Sequence, residues 1–194
     1  MTPVGWHSES VPMRDDADAA LQRFPLGGQV AGKVVAIPVR ARVGVFVDLG
    51  DGGRGFVDAE YLPDDPERWP RIGTETTFEV LRHDFSRRRR TCQIRLWPLE
   101  PRFRRAGPVA GAFTAEEWPL VRGHYPMGTV VTATVTSVSP DNCCYWIRFG
   151  AGRGSVTSAA ELPHVGTAHR YLVVGVLETT RRLVLALADE PGRN

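Results

Sequence analysis

Hydrophobic and polar residues alternate along most of the chain, in short runs bounded by Gly, Pro and Asp. Alternation of this kind, rich in β-branched residues, marks strands that bury one face. The pattern predicts strands at residues 29–37, 43–49, 54–58, 76–83 and 91–96, and again at 129–138, 144–149, 154–157, 171–178 and 182–187. Gly50-Asp51-Gly52-Gly53 makes the turn between the second and third, and the turn-rich residues 59–73 leave room for a short helix. Residues 14–22 suit a short acidic helix, and the Pro-, Gly- and Ala-rich residues 98–113 suit a linker. Thr114-Ala115-Glu116-Glu117 has the spacing in which Thr and Glu reciprocally satisfy the first amides of a helix. Pro119 follows early, so a turn or two is expected.

The strand runs repeat. At an offset of 100 residues, Gly28-Gln29-Val30 answers Gly128-Thr129-Val130, Val35 answers Val135, and Leu49-Gly50 answers Phe149-Gly150. Ala59, Leu62 and Pro63 answer Ala159, Leu162 and Pro163, while Gly55 and Val57 answer Gly154 and Val156 one residue out of step. The chain therefore reads as two copies of one unit of about 65–75 residues, a size at which small domains fold alone. Five strands with a helical insertion predict an all-β fold, two tandem five-stranded barrels of the OB type with short helical connections. The expected division is an N-terminal segment at 1–25, a first barrel at 26–98, a linker with a short helix at 99–125, a second barrel at 126–188 and a tail at 189–194.

Strand parity singles out one aromatic in each copy. Val45, Val47 and Leu49 share the core face, which leaves Phe46 beside Asp48 on the outer face. In the second copy Tyr145, Ile147 and Phe149 form the core set, and Trp146 and Arg148 point outward. Outward aromatics on a barrel face offer stacking platforms for unpaired bases. The competing reading is that Phe46 and Trp146 pack against the N-terminal segment, the linker or the other copy.

Charge adds a second feature. The net charge of +2 conceals nine arginines against Asp84 and Glu100 in residues 82–105. Arg87, Arg88, Arg89 and Arg90 fall where a hairpin turn is expected, and guanidinium groups at a loop tip suit phosphate contacts. Lys33, Arg40, Arg42 and Arg54 extend the basic set. Lys33 is the one lysine against 23 arginines, so clustering carries more meaning here than abundance.

Residues 26–96 resemble an S1 RNA-binding domain. The similarity is carried by Gly28-Gln29-Val30-Ala31-Gly32-Lys33-Val34-Val35, then Gly44-Val45-Phe46-Val47-Asp48-Leu49-Gly50, then Gly55-Phe56-Val57, then Val80-Leu81-Arg82-His83-Asp84 ahead of an arginine-rich turn. Residues 126–187 are similar but degenerate. The resemblance implies that Phe46 and, in the second copy, Trp146 stack bases, and that Asp84 and one of the Arg87–Arg90 run form an acid–base pair at the last hairpin. A first family aromatic is replaced by Val43 and by Cys143, and a family histidine by Asp58. In the second copy Arg181 and Arg182 occupy the equivalent turn without an acid.

Other patterns point away from catalysis. Gly150-x-Gly152-x-Gly154 lacks the helix and Lys-Ser/Thr of a phosphate loop, so a hairpin turn is expected. Cys92, Cys143 and Cys144 make neither a disulfide framework nor a metal-ligand spacing, and His83-Asp84 has no nucleophile motif beside it. No enzyme activity, cofactor or metal is expected. No apolar run approaches the roughly 18 residues of a membrane span, and the opening residues lack a secretory pattern, so a cytoplasmic protein with no membrane partner is expected. The leading expectation is a protein that binds single-stranded RNA, ribosome- or mRNA-associated, with little sequence preference, through Phe46, Trp146, Lys33, Arg40, Arg42, Arg54, His83, Asp84, Arg87, Arg88, Arg89, Arg90 and Arg148. The alternative is a protein–protein interaction unit, an adaptor, inhibitor or immunity-type partner, on a barrel that has lost RNA.

Overall fold

The computed structural model describes residues 19–38, 43–86, 91–107, 109, 111–139, 144–150, 152–157 and 162–188. The first closed barrel comprises β1 (Gln29–Ala36), β2 (Gly44–Asp48), β3 (Arg54–Asp58), β4 (Glu75–Ser86) and β5 (Thr91–Pro98), in the order β1-β2-β3-β5-β4. The second comprises β6 (Val130–Ser139), β7 (Cys144–Phe149), β8 (Gly152–Thr157), β9 (Ala168–Leu177) and β10 (Arg182–Leu187), in the equivalent order. In both barrels the third and fifth strands pair in parallel and the other pairs are antiparallel. The tandem all-β architecture expected from the repeat is the observed one. Residues 59–73 hold two short 3-10 turns, Ala59–Tyr61 and Pro66–Arg68, in place of a helix.

Corresponding residues meet corresponding partners. The first strand of each barrel is bulged at the same place, between Val34 and Ala36 and between Val135 and Ser137. Gly55 and Gly154 lie directly under the core side chains Leu96 and Leu185, too close for any Cβ. The core of the first barrel gathers Val34, Val45, Val47, Val57, Phe78, Val80, Ile94 and Leu96, and Phe24 closes one end. The core of the second gathers Val135, Tyr145, Ile147, Val156, Tyr171, Val173, Leu183 and Leu185.

The linker is anchored to the second barrel. Thr114 and Glu117 exchange amide hydrogen bonds at 2.9 and 3.1 Å and start α1 (Glu117–His124). Trp118 Nε1 donates to Glu178 at 3.1 Å, and Arg122 pairs with the same carboxylate. Phe113 and Arg181 exchange hydrogen bonds, the Phe113 amide to the Arg181 carbonyl at 2.9 Å and Arg181 Nε to the Phe113 carbonyl at 2.8 Å.

The two barrels are docked through an apolar surface. On β9 and β10, Leu177 and Val184 face away from their own core, yet they are 1% and 4% exposed because they join the core cluster of the first barrel. Leu26 lies over Gly175, where a side chain would crowd it. At the edge of this surface Glu79 of β4 is buried and accepts a hydrogen bond from the Thr179 amide at 3.1 Å. Arg182 lies over the Tyr61 ring, 5.9 Å from its centroid. The β9–β10 turn is thereby held between the first barrel and the linker.

Two outcomes follow from this packing. Leu177→Ala removes a buried side chain from the shared cluster, and chemical denaturation should show a loss of about 2–5 kcal/mol. Burial pushes the Glu79 carboxyl above its ordinary value of 4.5. A group whose folded value is raised contributes stability below its unfolded value and loses it as pH rises through the folded one. Docked stability should therefore fall between that ordinary value and neutral pH. In Glu79→Gln, urea midpoints measured across this range should lose that slope.

Candidate nucleic-acid interface

The outer face of the first barrel is built by register. Ala36 pairs with Phe46, Phe46 with Phe56, Phe56 with Arg95, and Arg95 with Arg82, so these residues form one row across five strands. Phe46 is half-buried and meets Phe56 edge to face, with centroids 4.8 Å apart and planes at 61°. Phe56 is 5% exposed, and the Arg95 guanidinium lies 4.8 Å from its ring centroid. Edge-to-face and cation–π contacts of this kind hold a ring in one orientation. Phe24 packs at the barrel end against Gly53, away from the Phe46–Phe56 pair.

Beside the aromatic pair sits a chain of ion pairs. Arg95 Nη1 donates to Asp58 Oδ1 and Arg95 Nε to Asp84 Oδ2, each at 2.6 Å, and Arg82 Nε donates to Asp84 Oδ1 at 2.9 Å. Burial pushes the Asp58 carboxyl up, against the opposing pull of Arg95 and Arg82. Two guanidinium groups and two carboxylates cancel, so this part of the face is neutral and pre-ordered. Asp84 thus positions Arg82 and Arg95.

The remaining sequence candidates divide by place. Lys33 is exposed and pairs with Glu75 at 3.4 Å, and Arg54 is exposed on β3 without an acidic partner among the described residues. His83 points into the barrel opposite Ile94 and is 2% exposed, so it lies off this face. Burial lowers its pKa. Arg40, Arg42, Arg87, Arg88, Arg89, Arg90 and Cys143 lie outside the described residues. Phe56 and Arg95 were not selected from sequence. The signal for both was strand parity: Arg54, Phe56 and Asp58 alternate with Gly55 and Val57, and Arg95 stands between the core residues Ile94 and Leu96.

The corresponding face of the second barrel has a different composition. Trp146 takes the place of Phe46 and is 36% exposed, and Arg148 beside it is exposed with no acidic partner among the described residues. Ser155 stands where the first barrel has Phe56, Val184 where it has Arg95, and Gly175 where it has Arg82. The β9–β10 half of the face has become the docking surface, and the side that carries Trp146 and Arg148 stays open. Its Cys144 Sγ touches Arg82 Nη1 of the first barrel at 3.9 Å.

Residues 23–95 match the S1 RNA binding domain. The first barrel is an S1 domain, and the second is a further OB barrel of the same topology with a degenerate face. No curated protein is significantly similar to the chain. Among solved structures, a multidomain protein with nucleic acid binding domains from Streptococcus pneumoniae is 19% identical, with a TM-score of 0.29. The match covers 83% of this chain and 51% of that one, so the present chain spans about half its length. An uncharacterized protein from Methanocaldococcus jannaschii is 22% identical over 39% of this chain and 95% of its own, with a TM-score of 0.29. Drosophila Unr CSD456 is 10% identical over 86% of this chain and 64% of its own, with a TM-score of 0.23. The S1 match supports RNA or nucleic-acid binding as the general function. Among the described residues no group of His, Cys, Asp and Glu could hold a metal ion, and no helix is long and apolar enough to cross a membrane.

Arg95 is the hub of the site. Arg95→Ala leaves Asp58 and Asp84 without their shared cation and uncovers Phe56, and urea denaturation should show a loss of about 2–4 kcal/mol. Arg95→Lys keeps the charge but bonds one carboxylate at a time, so it should lose less.

Proposed function

We propose that the chain is a non-catalytic protein that binds single-stranded RNA with little sequence preference. The observation that carries this reading is the outward, half-buried Phe46 on the S1 barrel, held edge to face by Phe56, whose ring Arg95 covers. A held aromatic surface stacks any base, because every base has a π face. Lys33 and Arg54 stand on the same barrel face and serve the phosphates. Arg40, Arg42 and the Arg87–Arg90 run are further cations that the sequence offers to the phosphates. Asp58 and Asp84 neutralise Arg95 and Arg82, so affinity rests on stacking more than on charge.

The test is a fluorescence-anisotropy titration of a labelled single-stranded RNA of about 15 nucleotides, a length within the reach of one or two OB footprints. Phe46→Ala should weaken binding by a factor of about 5 to 100, the equivalent of about 1–3 kcal/mol for one stacked base. Asp58→Asn removes a carboxylate beside Arg95 and should strengthen binding and steepen its salt dependence. Absence of binding at low salt contradicts the RNA reading and favours a protein partner.

A further inference from the structure

We infer that the RNA track does not end at the edge of the first barrel but crosses onto β7 of the second, where Trp146 stacks a base and Arg148 holds an adjoining phosphate. This inference rests on the reading of the first barrel given above and extends its site. Three observations support it.

The first is contact. The row Phe46–Phe56–Arg95–Arg82 ends at Arg82, and Arg82 Nη1 touches Cys144 Sγ at the start of β7. No gap separates the ligand face of one barrel from the equivalent strand of the other. Successive outward residues of a strand lie about 7 Å apart, so Trp146 and Arg148 continue outward from that junction in two steps.

The second is the division of the second barrel's face. Where it docks, Val184, Gly175 and Leu177 have replaced the equivalents of Arg95, Arg82 and Asp84. Where it stays open, an aromatic at the position of Phe46 remains, with an arginine two residues on. A surface serving only the interface would have no use for an exposed tryptophan beside a guanidinium that no acid among the described residues pairs.

The third is charge. Arg82 and Arg95 are bound to Asp84 and Asp58, whereas Arg148 has no acidic partner among the described residues. Arg153, across from Arg148 in the ladder, is held by the Ala112 carbonyl and Glu117. Beyond the junction, Arg148 is therefore a cation available to a phosphate on the same strand as Trp146. Docking fixes its place relative to Phe46, so one strand can engage both barrels without paying to order them.

Isothermal titration calorimetry and anisotropy on the full chain test this with two oligouridylates, one of about 4 nucleotides and one of about 15, near the two ends of the range of OB footprints. The expected result is one long RNA bound per chain. Trp146→Ala should weaken the long RNA by a factor of about 5 to 100 while leaving the short one unchanged. Trp146→Phe should retain most of the affinity, and Phe46→Ala should weaken both RNAs. Unchanged circular dichroism of Trp146→Ala would show that the loss is not unfolding. If Trp146→Ala leaves the long RNA unaffected while Phe46→Ala weakens it, the shared track is wrong and the first-barrel site stands. Two long RNAs per chain, one of them lost in Trp146→Ala, would show separate sites and equally overturn the track. Failure of both RNAs to bind at low salt overturns the first-barrel reading and the track together.

Discussion

Burial of Leu177 and Val184 against the first barrel is the contact on which the rest of the molecule depends. Both are outward residues of the second barrel, and in an isolated OB barrel that face would meet water or ligand. Here they complete the core cluster of a neighbour. The gain from burying apolar side chains, about 1.5–3 kcal/mol each, is available only if polar residues leave the face. That requirement accounts for Val184, Gly175 and Leu177 at the places where the first barrel carries Arg95, Arg82 and Asp84. It also accounts for the linker, whose Phe113 and Trp118 fasten the same hairpin from the other side.

The first barrel shows the opposite use of the same positions. Its outer row remains polar and aromatic, and its charges are settled among themselves. Arg95 bridges Asp58 and Asp84 while covering Phe56, and Phe56 in turn braces Phe46. A network of this kind is stiff, because displacing any member leaves a partly buried charge without its partner. It presents a ring whose orientation is set in advance, which lowers the ordering cost when a flexible ligand binds.

The fold was legible from sequence because the signal was repeated. Two copies of one alternation pattern, with glycines such as Gly55 and Gly154 at matching points, left little freedom in the topology. The capping box at Thr114 was legible for the same kind of reason, a local bond with a fixed spacing. Phe46 and Trp146 also followed from parity. His83 did not: the bulge at Leu81 breaks the alternation in β4, after which Arg82 and Asp84 face outward and His83 faces the core. Phe56 is hidden in the sequence because Gly55-Phe56-Val57 reads as a continuous apolar run. The docking of the barrels was invisible, since Leu177 and Val184 look like ordinary strand residues and their partners lie about a hundred positions away. Contacts at that separation leave no local trace.

The central claim is that one half of a duplicated face binds RNA and the other half binds the neighbouring barrel. Hydrogen exchange of the full chain, with and without a single-stranded oligouridylate of about 15 nucleotides, tests it directly. The account predicts new protection in β2, β3 and β7, with the amides of β9 and β10 around Leu177 and Val184 slow in both states. Rapid exchange there without RNA, or RNA-dependent protection confined to β9 and β10, would contradict it.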